Sequence, residues 1–231
     1  MHEVPFPQSG PKRKLLDVAE ELFAEKGFEA VSVRDITQAA KANVAAINYH
    51  FGSRDGLIAM VVVRHLVPVC EERLARLDAV EKRWAGKTPP LEEIIEAMLR
   101  PLLGQLRKSD LSERLFYKLI GRIFAQAGEG MPSSVEGLLA KTNDRFKKAF
   151  GKVLPTLSGE DLAWRIHFVS GGMIHMLSNY DSVQKLPAGS SAASAMEVTL
   201  GRLIRFSAAG MGEGMAVAAE LVESPQAFFD F

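Results

Sequence analysis

The 231-residue sequence contains a single cysteine, Cys70, which excludes an intrachain disulfide and any multi-cysteine zinc site. It has no net charge, with 28 Lys and Arg against 28 Asp and Glu. That balance excludes a nucleic-acid partner recruited by bulk basic charge, so any such partner must meet a local patch. Long apolar runs are also missing. The longest, Leu57 to Val63, is far too short to span a bilayer, and no membrane association is expected. Met1 to Gly10 carries no apolar stretch of the kind a secretory signal needs, so a reduced, cytoplasmic setting is expected. Period-two alternation, the mark of half-buried strands, hardly appears.

What is present is an ordinary globular composition, 47% hydrophobic and 24% charged, in a chain long enough for one large domain or two small ones. Apolar residues recur at helical spacing almost throughout, and the expected fold is all-α. Leu15, Leu16, Ala19, Leu22 and Phe23 make one stripe, with Asp17, Glu20, Glu21 and Glu25 on the other side and Gly27 as a stop. Ser32 is placed to cap a second short helix ending near Ala40, with Asp35 completing a capping box. A third runs from Val44 to Phe51, where Gly52-Ser53 ends it and caps a fourth. Longer helices are expected near 53–84, 91–108, 111–128, 133–153, 159–181 and 193–209. Gly/Pro/Ser-rich loops are expected at 86–90, 128–132 and 186–191. Beyond Gly210 the expectation is a flexible tail, then a short helix and an aromatic end at Phe228, Phe229 and Phe231.

Three short helices joined by tight turns in the first 55 residues have the dimensions of a helix-turn-helix module. Residues 36–54 contain no Asp or Glu, while Lys41, His50 and Arg54 are cationic or become so on protonation. A surface that faces phosphate needs that segregation of charge. Ala45 and Ala46 are small enough for a helix backbone to approach base edges. The amides of Asn43 and Asn48 suit bases or phosphates, and Tyr49 and His50 suit phosphate oxygens. Lys12, Arg13 and Lys14, at the start of the first helix, are expected to clamp backbone phosphates, with Ser32, Val44 and Ser53 completing the candidate contact set. The bland alternative is a short, solvated, Ala-rich helix; residues 56–70 also lack acids.

The segment AEELFAEKGFEAVSV, the short RDITQAA and the junction YHFGSRDGL closely resemble the DNA-binding signature of the tetracycline-repressor (TetR) family of bacterial transcription regulators. The resemblance covers roughly residues 11–58. Lys41 stands where the family usually has Gly, and Asn48 where many members have Tyr. The resemblance implies a DNA-binding domain over 1–55, a ligand-sensing and dimerisation domain over 56–210 and a tail over 211–231. It also implies a homodimer on a palindromic double-stranded DNA operator, most readily a repressor released by a small apolar effector. The stretches RHLVPVCEERLARLDAVE and LAWRIHFVSGGMIHML more loosely resemble the fatty-acid-responsive subgroup, which implies a fatty acid or acyl thioester as effector.

One short recognition helix contacts too few base pairs for useful specificity, so two copies are expected. The helices at 159–181 and 193–209 are the candidate interface, through Trp164, Phe168, Gly171, Gly172, His175, Met196, Leu200 and Leu203. Glycines inside helices are destabilising unless close packing compensates, across an interface or within one protomer. For a cavity, interior prolines Pro68 and Pro101 are expected to kink their helices. Met98, Leu102, Phe116, Leu119, Ile120, Phe124 and Met173 are candidate lining, with Arg64, Arg122 or His167 for a polar head; ordinary core is the alternative for each. His167 and His175 are eight residues apart without an i+4 ligand partner, so no metal or other cofactor is expected. No nucleophile motif, phosphate loop or base beside Cys70 points to an enzyme. The rival to the regulator reading is a helical lipid-binding module without a gene-regulatory role.

Overall fold

The computed structural model describes residues 9–106, 109–125, 133–186 and 195–212, which are all-α without a strand among them. The helices are α1 (Gly10–Lys26), α2 (Val33–Ala40), α3 (Val44–Phe51), α4 (Arg54–Arg83), α5 (Leu91–Leu99), α6 (Pro101–Leu106), α7 (Glu113–Ala125), α8 (Ser133–Val153), α9 (Gly159–Ser178), α10 (Tyr180–Val183) and α11 (Ala195–Gly212). The loop expected at 128–132, most of that at 186–191 and the tail with Phe228, Phe229 and Phe231 lie outside the described residues. Met211 and Gly212, assigned to the tail, close the last turn of α11.

The head, α1 to α3, folds as its pattern dictates. Leu15, Leu16, Ala19 and Phe23 are buried and meet Ile36 and Ala40 of α2 and Ile47 of α3 in one apolar core. Ser32 caps α2 by accepting from the Asp35 N–H at 3.2 Å, and the Asp35 carboxylate accepts from the Ser32 N–H at 2.8 Å. The box supplies acceptors for two donors that the first helical turn leaves without partners. Lys41 ends α2 in the left-handed region, φ 51°. The family resemblance puts glycine at this point because L side chains are disfavoured there by about 1–2 kcal/mol.

α3 and α4 meet at a joint that depends on two glycines. Gly52 turns the chain with φ 78°. Gly56 sits so close to α3 that a Cβ there would stand 2.0 Å from the Phe51 carbonyl oxygen. Its N–H donates to the capping Ser53 Oγ at 3.0 Å. A side chain at 56 would push the two helices apart.

α4, 30 residues long, is the spine of the body. It packs on α5 and α8, while α7 packs on α9, α11 on α5 and α9, and the head docks through α1 on α7. Two expected helices are corrected. The one at 91–108 divides after Arg100, because Pro101 offers no N–H to the Ala97 carbonyl and instead starts α6. The one at 159–181 ends at Ser178 and turns at Asn179 into α10. Pro68, by contrast, lies inside an α4 assigned as one helix from end to end.

The acidic side of α1 also differs from expectation. Glu20 is 3% exposed and accepts from Arg64 Nη1 at 3.2 Å, and Arg64 Nη1 also donates to Asp17 at 2.8 Å. His65 Nε2 lies 3.1 Å from Glu20 Oε1, outside hydrogen-bond alignment. Glu25 accepts from Arg114 at 3.0 Å, and Arg114 bridges onward to Asp181, which also holds Lys118 at 2.7 Å. Asp17, Glu20 and Glu25 of α1 thus face cations of the body, and Glu20 is buried rather than on the solvent side.

Candidate nucleic-acid interface

α3 presents one side outward because only Ile47 is fully buried beneath it. Val44, Ala45, Asn48 and Tyr49 point to solvent, Tyr49 being 85% exposed. Lys41 and Asn43 stand exposed at its leading end. The Asn43 side-chain Oδ1 caps α3 by accepting from the Ala45 N–H at 2.9 Å, which leaves its side-chain amide N–H groups for an outside partner. His50 is half-buried, with its ring edge-on to Tyr49 at 4.9 Å. Lys12 of α1 reaches the same end of the module, its Nζ 5.7 Å from the centre of the Phe51 ring.

Other candidates are engaged elsewhere. Arg54 donates through Nε to the Val31 carbonyl at 3.1 Å and through Nη2 to the Phe28 carbonyl. Its guanidinium holds the α1–α2 turn against the start of α4, rather than standing as an unattached phosphate clamp. Arg13 binds Asp17 and Asp110, and the Asp17 hydrogen bond leads the causes that raise it above the ordinary arginine value. Ser32 donates its hydroxyl to the Asp35 carboxylate at 2.6 Å and Ser53 caps α4, so both hydroxyls already serve helix starts. The Ser32 hydroxyl, and then its N–H, hold the Asp35 carboxyl below the usual range. Gly56 was not singled out from the sequence; the signal was a second glycine four residues after Gly52.

In the body, Leu102, Phe116, Leu119, Ile120, Met98 and Met173 are all buried in the core, and Phe124 is half-buried beside them. Arg64 and His167 are corrected as polar-head candidates. Arg64 is committed to Asp17 and Glu20, and His167 is exposed on α9. Arg122 donates to the Glu25 carbonyl at 3.2 Å. Clefts lie elsewhere among the described residues, one lined by Leu77, Trp84, Ile94 and Val153, another by Pro68, Glu72 and Gly104, and a third by Arg76, Val80, Arg83 and Glu93.

The expected interface set splits in two. Trp164, Phe168, Gly171 and His175 form one exposed stripe along α9, with the Trp164 and Phe168 rings stacked at 5.8 Å. Met196 and Leu200 are corrected: both are buried inside the protomer, because α11 packs on α5 and α9. Gly172 meets Leu203 of the same protomer, where a Cβ would lie 3.1 Å from Leu203 Cδ1. Phe206, 79% exposed on α11, was missed.

Comparison with known proteins agrees with this geometry. Residues 15–61 match the model for bacterial regulatory proteins of the tetR family, and residues 96–210 match that for the tetracyclin repressor-like C-terminal domain. The chain is 41% identical over 51 residues to the HTH-type transcriptional repressor KstR2 of Rhodococcus jostii (strain RHA1), covering 22% of this chain and 25% of that protein. The chain therefore aligns with about a quarter of the length of that curated relative. Among solved structures, the ketosteroid transcriptional regulator KstR2 of Mycobacterium tuberculosis superposes with TM-score 0.58 at 14% identity, covering 92% of this chain and 100% of that one. The TetR family regulator PfmR from Thermus thermophilus gives 0.52 at 20% identity, covering 88% and 99%. At these identities the structural likeness is one of fold.

Proposed function

The chain belongs to the TetR family of bacterial regulators, and we propose that it works in the cytoplasm as a homodimeric, DNA-binding repressor that leaves its operator when a small effector enters the body. The family is one of regulators, not enzymes. No helix among the described residues is long and apolar enough to cross a membrane.

The observation that carries the reading is the outward face of α3. Its eight residues span about 12 Å, the width of the major groove. No carboxylate lies on it, and its small leading residues, Val44 and Ala45, allow the backbone to approach the base pairs. Asn48 is positioned for base-edge hydrogen bonds, and Lys41, Tyr49 and Lys12 for phosphates. The exposed aromatic stripe of α9, with Phe206 and the open surface at Gly171 and Gly201, supports pairing of two copies. Such pairing sets two recognition helices about one DNA turn apart, roughly 34–36 Å. Because α4 runs from the Ser53 cap into the body and is joined to α3 through Gly52, a tilt of α4 changes that spacing. A switch of this kind needs an effector that favours the DNA-incompetent spacing by about 1–3 kcal/mol.

The test is titration of the full chain onto DNA from upstream of its own gene at several salt concentrations. We expect selective binding to a palindrome of roughly 15–30 base pairs by two chains, weakening steeply with salt. Binding that ignores sequence, or none, overturns the reading in favour of a ligand-binding module alone.

A further inference from the structure

Arg73, on α4 in the middle of the body, is 5% exposed. Among the described residues no carboxylate pairs with it. Its Nε donates to the Met98 carbonyl at 2.6 Å, and Nη2 meets only the Met173 thioether sulfur at 3.5 Å. The Phe124 ring covers the guanidinium face at 4.9 Å. Thioether sulfur is a weak acceptor, so of five N–H donors one has a strong partner. A buried cation is ordinarily paired, because desolvation penalises it heavily otherwise. By contrast Arg64, nine residues earlier on α4 and only half-buried, is bonded to two carboxylates.

Two further polar groups gather there in an otherwise apolar setting. The Cys70 thiol, buried one turn before Arg73, lies beside Thr142 of α8, which is 1% exposed and donates its hydroxyl to the Leu138 carbonyl at 2.7 Å. A few convergent polar groups among apolar and aromatic side chains are what a small-molecule site consists of. Phe124 is only half-buried, so on that side the guanidinium lies one ring beneath the surface. Burial pulls Arg73 down to about 10, which leaves it cationic at neutral pH.

We propose that Arg73 is the anion anchor of the effector site, and that the effector is an apolar molecule bearing a carboxylate, held end-on by the two Nη groups as it displaces the Met173 sulfur. This rests on the ligand-responsive reading above and names its effector class. A wholly neutral effector would leave the guanidinium as it stands, without a counter-charge.

The experiment measures binding to the full-length protein by calorimetry with dodecanoate and 2-naphthoate, each against its methyl ester. Wild type is expected to bind at least one acid tenfold or more tighter than its ester. Arg73→Met, which keeps the length of the stem, is expected to bring that ratio to about one with ester affinity little changed. Arg73→Lys, which keeps the charge, is expected to retain part of the preference and serves where the Met variant folds poorly. Equal binding of acid and ester by wild type, binding of neither, or an undiminished acid preference in Arg73→Met overturns the proposal. Operator titration of the same samples separates the two readings. Retained operator binding without acid preference sinks the anchor alone, whereas failure of wild type to bind any operator sinks the regulator.

Discussion

On the inward face of the head, Asp17, Glu20 and Glu25 each accept from an arginine of the body. On the outward face, from Lys41 through Tyr49, there is no carboxylate and, among the described residues, no ion pair. Both faces belong to one small module in a chain of zero net charge, the inward one on the charge-rich α1 and the outward one on α3, which carries no Lys, Arg, Asp or Glu. The difference teaches that the acid of α1 does more than keep away from DNA: it docks the head on α4 and α7. Charge segregation on this head therefore serves two surfaces, one that must stay attached and one that must stay available.

The sharpest way to break that contrast is Glu20→Ala. It leaves Arg64 and His65 facing a buried gap, and we expect a loss of about 3 kcal/mol in urea unfolding. If stability is unchanged, the inward acids are solvated decoration after all. Ala45→Glu does the reverse. It puts a carboxylate on the outward face at an exposed position, so the melting temperature should hold while operator affinity falls on the order of a hundredfold, since like charges brought together cost several kcal/mol. Retained affinity would mean that α3 does not meet DNA with this side.

Arg54→Ala tests a residue that sequence spacing puts outward and the structure ties inward. Losing its bonds to the Val31 and Phe28 carbonyls should cost about 2 kcal/mol of stability without changing the salt slope of DNA binding. Lys12→Ala should instead reduce that slope by about one with stability intact. Lys41→Gly should move the two faces in opposite directions. Relief of the left-handed backbone adds about 1 kcal/mol of stability, while the lost cation weakens DNA binding at low salt. The smallest effect is at the α2 cap. Asp35 has its native value lowered by Ser32, so its contribution is present at neutral pH and is lost as pH falls through that lowered value. The stability difference between wild type and Asp35→Asn should be constant above about pH 6 and shrink below about pH 4, near the ordinary carboxylate value.

Much of the head is legible in the sequence. The stripe of α1, the Ser32–Asp35 box, the start of α3 at Val44 and the Gly52 joint follow from contacts within a few residues, where spacing alone decides which groups meet. The outward set Lys41, Asn43, Val44, Ala45, Asn48 and Tyr49 was legible for the same reason: on a two-turn helix, burying Ile47 commits the opposite side to solvent. The body was less legible. Its helices were placed to within a few residues, except where Pro101 and Asn179 divided them. A helical stripe shows that a face is apolar but not which neighbour covers it, so Met196 and Leu200 read as interface although α5 and α9 of the same protomer bury them.

The sequence by itself determined the all-α class, the order of the helices in the head and the acid-free stretch across α3, because these depend on periodicity, capping and composition along a local stretch of chain. Tertiary structure alone decided which arginine serves what. Arg13, Arg54, Arg64 and Arg73 look alike in the sequence. Their partners, Asp110, Phe28, Glu20 and Met98, lie 97, 26, 44 and 25 residues away along the chain. A long flexible cation takes its role from the charges and dipoles that folding brings within about 3–4 Å, and separations of that kind are set by packing, not by spacing along the chain.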